Sequence, residues 1–251
     1  MDDLTKNFFY NKNVIVYQGK KGYRFSVDAP ILADFIVNSK DKTALEIGCG
    51  SGIISLLLIY KNKLKYIYCY EIQKRLSDIA NLNLRENNFG KRIKIINSDF
   101  MMDFMIDTNQ DLDFNRQKFD IIFSNPPFYT VKKGRVSTNQ ETAIAKFELK
   151  ITLSGILEKV SKILSKNGNF FLILPYDRLD ETIKLSKYFG YSIVKKRNIL
   201  SFTGGKEERF LIQLANNMND NISFTEETPL VIFKEKGVYT GEMRKILGMD
   251  L

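Results

Sequence analysis

Two adjacent prolines, Pro126 and Pro127, limit the folds open to this chain more than any other pair of its residues. They follow an apolar run, Phe119-Asp120-Ile121-Ile122-Phe123, which reads as a buried strand of a parallel sheet. Neither proline can donate to a sheet ladder or carry on into a helix, so the strand stops abruptly. Ser124 and Asn125 are left at its carboxyl end, where open α/β sheets bind ligands. An aromatic pair, Phe128 and Tyr129, follows at once.

These groups suit a planar amino nitrogen, on adenine or on a carboxamide. Such a nitrogen has a delocalised lone pair and is a poor nucleophile. A site that holds both of its N–H bonds can aim the lone pair at an electrophilic methyl, which is catalysis by orientation and electrostatics. The Asn125 side-chain carbonyl can accept one N–H. The backbone carbonyl of Pro126 can accept the other, because proline keeps its C=O while losing its N–H. Phe128 then offers a face on which a flat base can stack. Asn125, Pro126, Pro127 and Phe128 are therefore the candidate catalytic residues. A sharp turn with a capping Asn and a core Phe is the competing reading.

Composition narrows the partners. The 251 residues suit one domain, with an N-terminal arm over 1–40, a core over 41–216 and an extension over 217–251. The apolar fraction of 44% is enough to bury a core. The formal charge of +9 suits an anionic partner such as nucleic acid, although a Lys-, Asn- and Ile-rich codon bias would produce part of it. The absence of histidine excludes a Ser-His-Asp arrangement and imidazole acid–base chemistry. Cys49 and Cys69 alone cannot build a usual zinc site, so no metal is expected. They read as free thiols of a reducing cytoplasm. The start, Met1-Asp2-Asp3-Leu4, is unlike a signal peptide, and the longest apolar run, Ile53 to Tyr60, is too short to span a bilayer.

Taken in order, Asn13 to Gln18 has strand character. Tyr23 to Pro30 leads into an apolar helix, Ile31 to Val37, for which Asp28 is a candidate cap and Pro30 a first-turn residue. Thr43 to Ile47 is a strand that runs into Gly48-Cys49-Gly50-Ser51-Gly52 and a helix from Ile53 to Tyr60. Such a turn lets backbone approach a ligand closely, and the helix N-terminus favours negative charge. A second strand, Lys65 to Tyr70, ends in Glu71, placed to accept hydrogen bonds from ribose hydroxyls and to repel a 2′-phosphate. An amphipathic helix runs from Gln73 to Asn87. A third strand, Arg92 to Ser98, is closed by Asp99, which can accept from an adenine amine or cap a helix. Met101 to Gln117 suggests a short helix and a solvated loop.

Lys132, Lys133 and Arg135 form a basic loop after the prolines, read either as solvated or as contacting phosphate. A long helix is expected from Gln140 to Ser165, stopped by Lys166-Asn167-Gly168. Phe170 to Pro175 is a strand and Arg178 to Phe189 a helix. Tyr191 to Arg197 and Glu208 to Leu214 read as an antiparallel pair around Thr203-Gly204-Gly205-Lys206. Leu230 to Phe233 is a last short strand before a helical piece. Lys195, Lys196, Arg197, Lys206 and Arg209 join the candidate RNA phosphate contacts.

The Gly turn, Glu71, Asp99 and Asn125-Pro126-Pro127-Phe128, on successive strand ends, resemble the class I S-adenosylmethionine-dependent methyltransferases that modify planar amino nitrogens. The resemblance implies an α/β, Rossmann-like fold: a seven-stranded, mostly parallel sheet with an antiparallel last strand and helices on both faces. It implies S-adenosyl-L-methionine as cofactor and S-adenosyl-L-homocysteine as product. Gly48, Gly50, Gly52 and Glu46 would border the methionine part, Glu71 with Ile72 the ribose, and Asp99 with Phe100 the adenine.

Gln18, Gly22 to Ala29, Ala143 to Glu148 and Gly237 to Thr240 look like the bacterial tRNA adenine-N6 methyltransferases that act on a valine tRNA at position 37. In these enzymes the segment matching Arg24 to Asp28 closes over cofactor and target. Lys146-Phe147 departs from the Arg-His of relatives, and Phe128 from their frequent Tyr. The implied partner is tRNA, with no membrane and no obligatory protein partner. Three other readings stand beside it. Protein glutamine methylation shares Asn-Pro-Pro but brings a larger N-terminal domain. DNA adenine methylation normally needs a separate recognition domain. A non-catalytic RNA binder would not need the amine acceptors.

Overall fold

The computed structural model describes residues 3–37, 39–102, 106–107, 112–113, 118–127, 151–216 and 223–249. Strands β1 (Leu4–Phe9) and β2 (Val14–Gly19) form an antiparallel hairpin. They are followed by α1 (Asp28–Phe35), β3 (Ser39–Ile47), α2 (Ile53–Tyr60), β4 (Leu64–Tyr70), α3 (Lys74–Glu86) and β5 (Ile93–Ile96). Where a short helix is expected, β6 (Ile106–Asp107) and β7 (Leu112–Asp113) make a two-residue antiparallel ladder instead. Then come β8 (Phe119–Ser124), α4 (Leu153–Ile163), β9 (Leu164–Pro175), a 3₁₀ turn (Tyr176–Arg178), α5 (Leu179–Tyr188), β10 (Ser192–Leu200) and β11 (Glu207–Ala215). β12 (Thr225–Val231), β13 (Phe233–Glu235), β14 (Val238–Tyr239) and α6 (Gly241–Leu247) close the chain.

The central sheet has the order β12-β10-β11-β9-β8-β3-β4-β5. β5, β4, β3, β8 and β9 are parallel, and β11 is antiparallel to both β9 and β10. This is the expected seven-stranded arrangement with one correction: β12 adds an eighth strand, parallel to β10. Ion pairs hold it there, Lys195 to Glu227 at 3.1 Å and Lys196 to Glu226 at 2.9 Å. Pro229 is tolerated because β12 is an edge strand, and the pairing slips between Arg197 and Ile199 beside it.

Alternate strand residues feed two cores, as a period of two requires. Ala44, Ile67, Phe123, Phe171 and Leu211 pack with α1 and α2. Leu45, Ile122, Phe170, Leu172 and Ile212 pack with α4. The expected helix to Ser165 ends at Ile163, because Leu164 is extended and opens β9. Lys166-Asn167-Gly168 therefore lies inside a strand, and residues 140–150 lie outside the described ones. Asp28 is not a cap. Val27 holds that place without a side-chain bond, and Ile36 turns extended to end α1 before Val37.

The hairpin is clasped by two asparagines, Asn83 of α3 and Asn87 at its C-terminal cap. Asn83 Oδ1 accepts from Tyr17 N–H (2.7 Å), and its Nδ2 donates to the Tyr17 and Ser51 carbonyls (both 2.9 Å). Asn87 repeats the grip on Ile15, accepting from its N–H at 2.9 Å and donating to its carbonyl at 2.7 Å. Four helical residues rise about 6 Å and two strand residues about 6.7 Å, so the two amides match alternate residues of β2.

Candidate active site

The carboxyl ends of β3, β4, β5 and β8 meet at one cleft, about 690 Å³ counting its open mouth. Gly48, Gly50 and Gly52 all have positive φ (72°, 56° and 80°), the left-handed conformation that makes glycine the residue of choice. Gly48 and Cys49 N–H both donate to the Tyr70 carbonyl, which ties the turn to β4. Gly52 caps α2 and is not among the residues lining the cleft.

The cleft gathers Gly48, Gly50, Glu71, Ile72, Asp99, Phe100, Asn125, Pro126 and Pro127 from the sequence expectation. A second hollow of about 280 Å³ adjoins it, with Tyr23, Gly48, Gly50 and Asn125 in both walls. Asn125 Oδ1 is buried and has no hydrogen-bond partner among the described residues. Glu71 Oε2 accepts from Gly50 N–H and Oε1 from Gln73 N–H, each at 2.8 Å. A carboxylate oxygen has further lone pairs, so both remain able to accept from a ligand. Asp99 Oδ1 accepts from Met101 N–H at 2.8 Å. It stabilises the turn after β5 and still borders the cleft.

Tyr23 and Ser51 are among the wall residues that the sequence reading does not single out. Tyr23 walls both hollows, and its ring lies 3.3 Å from where a side chain on Gly50 would begin. Burial, helped by the carboxylates of Asp28, Glu71 and Glu46, pushes its hydroxyl up to about 12, so it stays protonated. Ser51 Oγ is buried without a partner among the described residues, at the N-terminal end of α2. The available signals were the tyrosine ahead of Asp28 and the serine inside the Gly turn.

Besides Gly52, three expected cofactor contacts sit elsewhere. Arg24 is exposed on the arm, donating to Thr5 Oγ1 (3.1 Å) and the Gly19 carbonyl (3.0 Å). Asp28, 2% exposed, pairs with Arg209 at 3.0 Å and accepts from Ser26 Oγ at 2.8 Å. Burial still pushes its carboxyl up, against the pull of Arg209. Glu46 is 1% exposed behind the Gly turn, where its Oε2 accepts from Ser55 Oγ. Burial pushes it up to about 8.

Glu46 makes stability depend on pH. The unfolded chain releases this proton near the ordinary 4.5, while the folded chain keeps it to about 8. Between those values unfolding is drawn on by proton release, so this group's contribution falls as pH rises, by up to about 1.4 kcal/mol per unit. Glu46→Gln has no such proton to release. Melting temperatures from pH 5 to 8 are expected to show the variant gaining on the wild type as pH rises; parallel curves would contradict the burial effect.

Both cysteines are free and buried. Hydrogen bonding to Cys69 and burial push the Cys49 thiol up; burial does the same for Cys69. Among the described residues no acidic, Cys or His cluster could hold a metal, and no helix is long and apolar enough to cross a membrane.

The candidate phosphate contacts fare differently from the cleft. Lys195 and Lys196 are spent on β12, Arg197 on Glu242 (2.7 Å) and Arg209 on Asp28. Lys206 is exposed in the β10–β11 turn. Phe128, Tyr129, Lys132, Lys133, Arg135 and the segment 143–148 lie outside the described residues.

Curated relatives match over most of the chain. One from Flavobacteriaceae bacterium (strain 3519-10), named tRNA1(Val) (adenine(37)-N6)-methyltransferase, is 24% identical over 231 residues, 89% of this chain and 92% of the relative. One of the same name from Bacteroides fragilis (strain YCH46) is 26% identical over 242 residues, 89% of this chain and 98% of the relative. The fold matches a crystal structure of a methyltransferase from Pyrococcus furiosus, with TM-score 0.58, 19% identity and coverage of 80% of this chain and 88% of that one. It also matches the M. jannaschii tRNA m1G37 methyltransferase, with TM-score 0.56, 16% identity and coverage of 85% and 54%. The model of the methyltransferase small domain matches residues 24–199, from the segment over the Gly turn to the end of β10, and the chain belongs to that family.

Proposed function

We propose that this chain is an S-adenosylmethionine-dependent methyltransferase acting on the exocyclic N6 of an adenine in tRNA, at position 37 in the anticodon loop of a valine tRNA. The observation that carries it is the buried Oδ1 of Asn125, without a partner among the described residues, in the cleft wall shared with the Gly turn. Relatives matched over most of their length and bearing that activity in their names support adenine over a protein glutamine.

The residues present fit the cofactor. Gly48 and Gly50 leave backbone open to close approach, Glu71 can accept from a ribose and Asp99 from an adenine amine. Ser51 Oγ and the N-terminus of α2 suit a carboxylate. When bound, the cofactor supplies an electrophilic methyl on a charged sulfur. Asn125 Oδ1 and the Pro126 carbonyl hold the two amino hydrogens of a base flipped from its loop, where unpairing is cheap. The nitrogen then needs no strong base, and its proton leaves to solvent. Tyr23 shields the Gly turn from above, and Glu46 ties the strand before that turn to α2 through Ser55. The cytoplasm is the matching compartment.

Mass spectrometry of tRNA nucleosides tests this. Cells without the protein are expected to lose N6-methyladenosine from valine tRNA and to regain it with the wild-type chain. An unchanged nucleoside would rule the reading out.

A further inference from the structure

Residues 4–27 carry Lys6, Lys12, Lys20, Lys21 and Arg24 and no Asp or Glu. Five positive charges, against a net +9 for all 251 residues, thus fall on the hairpin and the segment that leads from it to α1. All five side chains are exposed. Arg24 donates to neutral oxygens, so its charge is not cancelled. Lys195, Lys196, Arg197 and Arg209, by contrast, all face carboxylates within 4.0 Å. Asp3 is taken up by Arg75 at 2.7 Å, and Glu86 accepts from the Tyr17 hydroxyl at 3.3 Å.

The outer face of the hairpin alternates charge with rings. Lys6 Nζ stands 5.4 Å from the centre of Phe8 and 5.5 Å from that of Tyr17, its partner across the hairpin. Phe8 is 48% exposed. The segment that follows the hairpin reaches the cleft. Tyr23 walls the cleft, and the Lys21 carbonyl lies 3.4 Å from Arg75, in the first turn of α3 just after Gln73, another wall residue.

We infer that the arm, through Lys6, Lys20, Lys21 and Arg24, is the surface on which the RNA backbone docks beside the target base, with Phe8 and Tyr17 as stacking faces for an unpaired nucleotide. The inference rests on the RNA reading above and replaces Lys195, Lys196, Arg197 and Arg209 as phosphate contacts. Cations near a cleft, with no carboxylate among the described residues pairing them, attract any polyanion; the interleaved rings favour a single-stranded nucleic acid over a lipid surface.

The test compares the triple variant Lys6→Ser/Lys20→Ser/Lys21→Ser with the double variant Lys195→Ser/Lys196→Ser. Binding of unmodified valine tRNA is measured from about 50 to 200 mM salt, alongside cofactor affinity and melting temperature. Losing three phosphate contacts is expected to flatten the slope of log affinity against log salt by about 2, at unchanged cofactor affinity and melting temperature. The double variant is expected to keep the wild-type slope. A wild-type slope in the triple variant, or flattening confined to the double, overturns the assignment. So does a triple variant that loses binding to phosphatidylglycerol vesicles while keeping tRNA. A wild type that binds tRNA in a Lys6-, Lys20- and Lys21-dependent way yet methylates none of it sinks the catalytic reading alone; one that binds no tRNA sinks both.

Discussion

Asn125→Ala is expected to lower the single-turnover rate of methyl transfer by about 10²–10³-fold while leaving cofactor affinity within a few-fold of wild type. The side chain ends β8 at the cleft and offers a buried oxygen with no protein partner among the described residues. Removing it takes away an acceptor that matters most when the amine gives up its conjugation and its N–H bonds become more acidic. The loss therefore falls on the chemical step rather than on binding. The Gly turn, Glu71 and Asp99 stand on other strands and keep their contacts. Rapid-quench assays with labelled cofactor and calorimetric titration of the cofactor separate the two quantities. A variant that transfers methyl at the wild-type rate would remove Asn125 from the chemistry.

Asn83→Leu is the substitution expected to cost most in stability. Three hydrogen bonds disappear, to Tyr17 N–H, Tyr17 C=O and Ser51 C=O. Asn83 is fully buried, so leucine of similar volume leaves these backbone groups stranded rather than hydrated. At about 1–3 kcal/mol for each of the three stranded groups, the expected loss is about 3–9 kcal/mol, or at least roughly 6 °C in melting temperature for a chain of this size. The same change should open the arm. Hydrogen exchange at Tyr17 and Ile15 should speed up well before that of β3 or β4. Intact protection at Tyr17 would mean that the arm is held by other contacts.

The sequence made some features plain and hid others for physical reasons. The bounds of α2 are readable because an apolar run sits between a glycine turn and a polar break. The strand ends that carry Glu71, Asp99 and Asn125 are readable for the same reason: each apolar run stops at a polar residue or a proline. β12 was only partly legible. Thr225-Glu226-Glu227-Thr228 has no apolar period, and its place is set by lysines on β10. Asp28 carries the local pattern of a helix cap, yet its partner is Arg209, far along the chain. Lys166-Asn167-Gly168 has the composition of a helix stop, but Leu164 already pairs with Phe119 of β8, so the three residues fall in the irregular stretch of β9 before Asn169 resumes the pairing. The basic residues of β10 read as a nucleic-acid face because the sequence does not reveal the acids opposite them.

The clasp made by Asn83 and Asn87 addresses only main-chain atoms of Tyr17 and Ile15. Apart from the Tyr17 hydroxyl, which donates to Glu86, the identity of the outward side chains on β2 then matters little to where the hairpin sits. Mutation can redecorate that exterior, residue by residue, without loosening its attachment, so a new partner can be tried at little structural risk.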